Sequence, residues 1–544
     1  MPVVTFDYHD FLQILGYELN KEEFLDKIPL LGSEIERVEG DEISIEVFPN
    51  RPDLTSVEGL ARASRAFFGF EKGLKKYFLE KSDVVTNVES SVSKVRPFIA
   101  TALVKNVTMS DELISSLMGL QEKLHFGLGR ERRKVAIGVH DFDQVKPPFT
   151  YKAVDPKSVR FVPLGETKEM DLDEILRSHP KGVDYGYLLQ GKRVYPLLVD
   201  SEDNVLSFPP IINGVLTEVT PFTRNVFLDV TGTDRSAIYT ALIIVALALV
   251  ERGGELYSTV VKENSNEVIS PNLTPSRRKV SLSYVEHVLG VKLSEEEVEE
   301  SLRRMGYDTQ VLDENVEVYV PPWRADILHE IDLVEDVAIG YGFDRFQEDS
   351  PKAMTYGKPL KVFRLCENAR MSMIGLGFNE VTTLSLSNER DEFKRLGLKK
   401  EGVVELENPI GEDYTCLRVH LLPSLLKIGR ENRRHPLPQR IFEVNHVTDL
   451  DAGNETHVAA LMMDAKANFT ACKSVVEGFT RNMGIKVSFV RENHPAFVKG
   501  RCAAVLYEGE KLGVFGELHP ATLTAFELEH PATAFELNLE KLLV

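Results

Sequence analysis

Residues 319–346 read YVPPWRADILHEIDLVEDVAIGYGFDRF, a proline break followed by an acidic helical pattern. Pro321-Pro322 ends the alternating run VEVYV, because proline lacks the N–H that a strand ladder needs and fixes φ. Asp326 is then expected to open an acidic helix that closes near Gly340-Tyr341-Gly342. Ile327, Ile331, Val334 and Ala338 fall at helical spacing as an apolar stripe. Asp332, Glu335 and Asp336 stand at i, i+3 and i+4, so their carboxylates share another face, with Asp326 one to two turns earlier. Two readings fit these carboxylates. They are hard oxygen ligands of the kind Mg²⁺ takes while keeping several waters, or a solvated acidic face favoured by the helix dipole.

Just upstream, Ser283 to Leu289 reads as a short helix. Ser294-Glu295-Glu296-Glu297 is a capping box for a second helix that Gly306 ends. DTQVLD and VEVYV follow as two short strands. Helix, helix and a two-stranded wing outline a winged-helix-like module over 271–347.

The flanks differ in texture. Residues 1–85 read as a small α/β domain, with Asn20 capping KEEFLDKI, EISIEVFP as a half-buried strand, and Thr55-Ser56-Val57-Glu58 as a capping box. Residues 86–270 are rich in strand candidates such as FIATALVKNVT, KVAIGVHD, RVYPLLVD and NVFLDVTG. Within them, the apolar run Ala237–Val250 is a buried helix, too short to span a bilayer. Residues 355–544 mix long helices with alternating strands, as an antiparallel α/β domain does. The fold class is therefore α+β, in several domains.

Composition narrows the function. The chain has 544 residues and a formal charge of −20, so any RNA contact must be a local patch or be shared with a more basic partner. The densest basic runs are Arg130-Glu131-Arg132-Arg133-Lys134 and Arg430-Glu431-Asn432-Arg433-Arg434-His435, either of which could touch phosphate, though a solvated, partly self-neutralised loop is the commoner fate of such a run. Cys366, Cys416, Cys472 and Cys502 form no CxxC, so neither a zinc knuckle nor a disulfide framework is indicated. MPVVTFDYHD lacks the positive start of a signal peptide, and a cytoplasmic location with no membrane association is expected. Phe126-Gly127-Leu128-Gly129 lacks the rest of a nucleotide-binding fingerprint. His140-Asp141-Phe142-Asp143 reads as a turn at a strand end rather than a metal site.

VFPNRPDLTSVEGLARA near the start, the 319–346 stretch, and NPIGEDYTCLRVHLLPSLL, RIFEVNHV and GELHPATL near the end together resemble the β subunit of phenylalanyl-tRNA synthetases. The match runs in order along the chain and resembles the archaeal/eukaryotic form, with no OB-fold insertion near the start and no ferredoxin-like anticodon-binding domain.

The resemblance implies an α₂β₂ assembly that charges tRNA(Phe), with ATP and phenylalanine consumed at the α subunit. It implies that 355–544 is a class II synthetase-like domain without catalytic motifs. It places Mg²⁺, shared with α, on Asp326, Asp332, Glu335 and Asp336. It makes 86–270 an editing domain that hydrolyses Tyr-tRNA(Phe), with Asp229, Thr231 and Ser207 as its polar working groups and Leu198 and Asn213 lining the substrate pocket. A non-catalytic scaffold that only binds RNA or protein is the competing reading, and hydrolysis of Tyr-tRNA(Phe) discriminates the two. A free-standing deacylase would not need the long C-terminal domain.

Overall fold

The computed structural model describes all residues except 1, 264–265, 349, 351–355, 452 and 544. They form two compact units, Met1–Ser350 and Pro351–Val544.

In the first unit, strands Val3–Asp7, Ser33–Glu39 and Glu42–Val47 make an antiparallel sheet with Glu42–Val47 in the middle. Central placement explains why Ile43, Ile45 and Val47 are all fully buried. Asn20 caps the helix Lys21–Lys27 as its sequence indicates, accepting from the Glu22 N–H at 2.8 Å. The next helix departs from expectation. It spans Val57–Phe67 with Ser56, not Thr55, as its cap, and Glu58 turns inward to meet Arg252 at 2.8 Å rather than closing a capping box. A buried cation outbids the chain's own amide for that carboxylate.

The module before Pro321 has three strands rather than two. Ser276–Ser281 pairs with Asn315–Val320, which also pairs with Asp308–Leu312. Helices Leu282–Leu289 and Glu295–Arg304 follow the sequence reading, and the Ser294/Glu297 capping box is present in both directions. One apolar core joins this module to the N-terminal sheet: Phe11, Phe24, Leu60, Val298, Leu302 and Val337 belong to the same cluster.

Between these parts lies a ten-stranded sheet. Its order runs from Ile212–Asn213 through Val205–Phe208, Tyr195–Val199, Phe149–Val154, Glu80–Val88, Glu255–Glu263, Phe98–Lys105 and Val226–Gly232 to Val135–Asp141. Asn266–Ser270 pairs off this path on Glu255–Glu263. The helix Arg235–Glu251 packs on the sheet with Ala237, Ile238 and the whole run from Ala241 to Leu249 buried, as its all-round apolar sequence requires. Among the described residues no helix is long and apolar enough to cross a membrane.

The second unit is a seven-stranded sheet ordered Asn379–Glu380, Gln439–Asp449, Gly453–Met463, Ala532–Asn538, Glu510–Leu518, Phe497–Tyr507 and Val487–Arg491. Every pairing is antiparallel except the first, in accord with the sequence reading. Helices Lys361–Gly375 and Phe469–Asn482 share one apolar cluster with its strands.

Candidate functional site

Strand Val226–Gly232 is buried along its whole length between two antiparallel neighbours. Alternation puts Phe227, Asp229 and Thr231 on one face. On that face a pocket of about 160 Å³ opens, lined by Asp229, Thr231, Ser207 and Asn213 among others. The sequence therefore names four of its walls. Leu198 stands directly opposite Ser207 on the next strand and is fully buried in the cluster with Ile99, Leu206 and Phe227. It backs the pocket rather than lining it.

The polar floor is tightly knit. Ser207 Oγ donates to Asp229 Oδ1 at 3.3 Å, and His140 Nε2 lies 2.7 Å from the same oxygen. An ionised carboxylate only accepts, so Nε2 carries a proton. His140 Nδ1 is 2.8 Å from Thr217 Oγ1. All four side chains are almost fully buried. Gly138 faces Asp229 across the strands, and a Cβ there would sit 2.2 Å from Asp229 Oδ1 and 2.6 Å from His140 Nε2. Only glycine leaves the carboxylate its room.

Thr231 is held from below by Arg96, whose Nε donates to its hydroxyl at 2.9 Å and whose terminal nitrogen donates to its carbonyl at 2.7 Å. Burial lowers the Arg96 pKa to about 10. Sequence reasoning missed Arg96, and it read His140 as a turn residue when it is the penultimate residue of a strand. The missed signal was alternation in KVAIGVHD, which places His140 two residues beyond Gly138 on the same face. His125 was also missed. Its Nε2 accepts the Ile137 N–H at 2.8 Å, so Nδ1 carries the proton, and burial drops its pKa to about 4. It lines the pocket beside Arg132.

The acidic segment folds otherwise than expected. The helix begins at Glu330, with His329 as its cap, so Asp326 precedes it, outside the helix. Asp332 turns back and accepts the N–H groups of Leu328 and His329 at 2.7 and 2.6 Å. Leu333, Val334 and Val337 are buried, while Ile331 is exposed. Asp336 consequently lies inside, where Arg324 binds it at 2.7 Å and Tyr307 donates to it as well. Arg324 also forks onto Asp326, Nε to Oδ1 at 2.9 Å and its terminal nitrogen to Oδ2 at 2.6 Å. A buried carboxylate needs such a cation.

Asp326 and Asp336 are thus already neutralised, and no group of three or more His, Cys, Asp or Glu side chains among the described residues is placed to hold a metal ion. Asp332 and Glu335 fit a cation better. The Glu335 pKa is raised by burial and then by the charges of Asp336, Asp326 and Asp332, with Arg324 opposing, and a positive ion there would relieve that crowding.

Against known proteins, the tRNA synthetase B5 domain model matches residues 278–343, and the model described as phenylalanyl tRNA synthetase beta chain CLM domain matches 347–539. The chain is 45% identical to the phenylalanine–tRNA ligase beta subunit of Methanosarcina barkeri over 546 residues, covering 100% of this chain and 99% of that one. It belongs to the phenylalanine–tRNA ligase beta subunit family.

The Archaeoglobus fulgidus member is 43% identical, with 99% of this chain and 98% of that one covered. Among solved structures, an N-terminal fragment of the phenylalanyl-tRNA synthetase beta subunit from Pyrococcus horikoshii is 39% identical, with a TM-score of 0.61, covering 63% of this chain and all of that one. In this member of the beta subunit family the first basic run is largely structural. Arg132 donates to the carbonyl of Ile211 and to Glu122, both at 2.9 Å, and Lys134 pairs with Asp234 at 2.8 Å. Arg130 and Arg133 are exposed.

Proposed function

We propose that this chain is the β subunit of a cytoplasmic α₂β₂ phenylalanine–tRNA ligase, and that its 86–270 part is an editing domain. The α subunit charges tRNA(Phe) with phenylalanine using ATP, and the editing domain hydrolyses mischarged Tyr-tRNA(Phe). The observation that carries the editing half is the buried polar floor of Ser207, Asp229 and His140 beneath a small pocket.

Tyrosine exceeds phenylalanine by one hydroxyl, which an apolar synthetic pocket rejects poorly. A second pocket whose polar floor gains a hydrogen bond from that hydroxyl selects tyrosine, because phenylalanine buries the same polar floor and brings it no partner. Ser207 and Asp229 meet the phenol in this reading, and Leu198 backs them. Thr231 and Asn213, in the same wall, are the polar groups left to orient the ester and its water. The 271–347 part, in this reading, is the winged-helix-like docking module, and 355–544 pairs with α as a class II-like domain without catalysis. Mg²⁺ is shared with α at the carboxylate set Asp326, Asp332, Glu335 and Asp336. Asp332 and Glu335 would hold the ion, while Arg324 keeps Asp326 and Asp336 paired.

The test is deacylation of preformed Tyr-tRNA(Phe) and Phe-tRNA(Phe) by the purified assembly. Rapid loss of the tyrosyl ester alone is expected. No hydrolysis of either ester would leave the chain a scaffold.

A further inference from the structure

A second concave region of the first unit lies where the segment after the helix Val57–Phe67 crosses the end of the helix Glu295–Arg304. The Gly73 N–H donates to the Arg303 carbonyl at 2.8 Å, and the Leu74 N–H donates to Asp308 Oδ1 at 2.9 Å. Gly73 adopts φ +94°, and a Cβ on it would stand 2.9 Å from Asp308 Oδ1. The crossing therefore requires glycine. Held in this way, the segment walls two adjoining hollows of about 730 and 370 Å³ that share Leu74, Lys75, Lys76 and Trp323. Neither shares a lining residue with the Ser207–Asp229 pocket.

The two hollows differ in chemistry. The larger has an aromatic and apolar wall of Tyr77, Tyr319, Leu273 and Pro275, beside the polar side chains of Thr309 and Gln310. The smaller is lined by cations, in a chain whose formal charge is −20. Several of these cations are matched: Arg51 by Asp53 at 2.9 Å, Lys75 by Glu71 at 3.0 Å and Arg65 by Glu251 at 2.6 Å. Arg62 and Lys76, and Arg303 in the larger hollow, have no carboxylate within ion-pair distance among the described residues.

Arg62 is the telling one. It is only 6% exposed, and its guanidinium lies 4.9 Å from the centre of the Trp323 ring. Its hydrogen bond from a terminal nitrogen to the Asp53 carbonyl is a long one, 3.3 Å, and it also meets the Tyr77 hydroxyl. Arg324, in the same wall, has a buried terminal nitrogen without an acceptor. A buried cation without a close counter-charge is costly, and the carboxylates of this wall are already engaged, Asp53 by Arg51, Glu71 by Lys75 and Asp308 by the Leu74 N–H.

The geometry points to a binding site for a phosphorylated nucleoside, with its phosphate among Arg62, Lys76 and Arg303 and its base against Tyr77 and Tyr319. Arginine and lysine supply charge-assisted donors to phosphate oxygens, and an aromatic wall accepts any base face. The hollow is of ligand size. The nucleotide comes either free or as part of a bound RNA, and the chemistry is the same in both.

The test is photolabelling of the full-length chain, in the assembly in which it purifies, with 8-azido-AMP and peptide mapping by mass spectrometry. Saturable adducts on the peptides carrying Tyr77 or Tyr319 are expected, competed by AMP. They should weaken at least tenfold in the double variant Lys76→Glu, Arg303→Glu, which changes two exposed side chains. Displacement of the label by intact tRNA assigns the nucleotide to RNA, and retention assigns it to a free nucleotide. Absence of a saturable adduct on this chain, or equal labelling of the double variant, overturns the inference. Tyr-tRNA(Phe) deacylation run on the same samples keeps this result separate from the editing reading.

Discussion

His140 Nε2 and Asp229 Oδ1 lie 2.7 Å apart with both side chains out of solvent, so the carboxylate at the pocket floor carries its own buried partner. Replacing His140 by Leu leaves that carboxylate only the long Ser207 hydrogen bond in a dry site. A loss of about 2–4 kcal/mol of stability follows from removing one member of a buried charged hydrogen bond. Urea unfolding of wild type and His140→Leu measures it. His140→Asn, which can still donate to Asp229, should lose less, and equal losses in the two variants would show that packing and not the hydrogen bond is at stake.

Ser207→Ala acts on selectivity rather than on fold. Ser207 donates to Asp229 from the wall of the pocket. Without it the floor is less polar, and phenylalanine leaves less unpaired there. The Tyr-over-Phe ratio of deacylation rates should fall roughly tenfold, the equivalent of about 1–2 kcal/mol for one lost buried partner. Rates on both esters, measured with the same enzyme preparation, decide it. An unchanged ratio would remove Ser207 from hydroxyl recognition.

Arg324→Met tests the buried fork. Arg324 holds Asp326 and Asp336 together, and Tyr307 completes the cluster. Removing the cation strands two carboxylates in the core shared by the N-terminal sheet and the helix Glu330–Tyr341, which should cost about 3–5 kcal/mol. The double variant Asp326→Asn, Asp336→Asn in the Arg324→Met background should recover part of that loss in thermal unfolding, because it removes the stranded charges.

Asp332→Ala with Glu335→Ala addresses the metal. With Glu335 pushed upward by burial and three neighbouring carboxylates, its protonated form is favoured in the folded chain. Its charge therefore costs stability as pH rises through the ordinary glutamate range. A bound cation removes that cost. Wild type should gain stability from Mg²⁺ at pH 8 and little at pH 4, and the double variant should gain little at either. Melting curves with Mg²⁺ and with a chelator supply the comparison, and an equal Mg²⁺ response in the variant would show that these two side chains do not hold the ion.

Much of this was legible in sequence where a pattern is local. Ser294 and Glu297 cap a helix through bonds three residues apart, and the Arg235–Glu251 helix announces itself by being apolar all round. The carboxylate helix was misjudged because its environment is not local. Ile331 and Asp336 exchange inside for outside only because Arg324, twelve residues before Asp336, comes in as a counter-ion. His140 was missed for the same reason. Its partner Asp229 is 89 residues away, and only the pairing of two strands reveals it.

In the second unit Glu392 is wholly buried, and burial raises its pKa to about 7 against the N–H groups of Val419 and His420 that favour its charge. Below about pH 4.5 the group is protonated in both folded and unfolded chains and costs nothing. Between there and pH 7 the folded chain holds the proton that the unfolded chain has lost, so stability falls as pH rises, and above pH 7 the full loss of about 3 kcal/mol applies. Glu392→Gln keeps an acceptor for those N–H groups and cannot ionise. It should raise stability at pH 8 by about 2–3 kcal/mol and change it little at pH 4. The acid limb should stay with Glu536. Burial raises the pKa of that carboxyl, but the His457 hydrogen bond and charge outweigh this and hold it at about 2. Its contribution is present above pH 4.5 and is lost only as pH falls toward 2. Denaturant midpoints of wild type and Glu392→Gln across pH 4–8 test the assignment, since curves that run parallel over that range would mean that Glu392 titrates alike in the folded and unfolded chains.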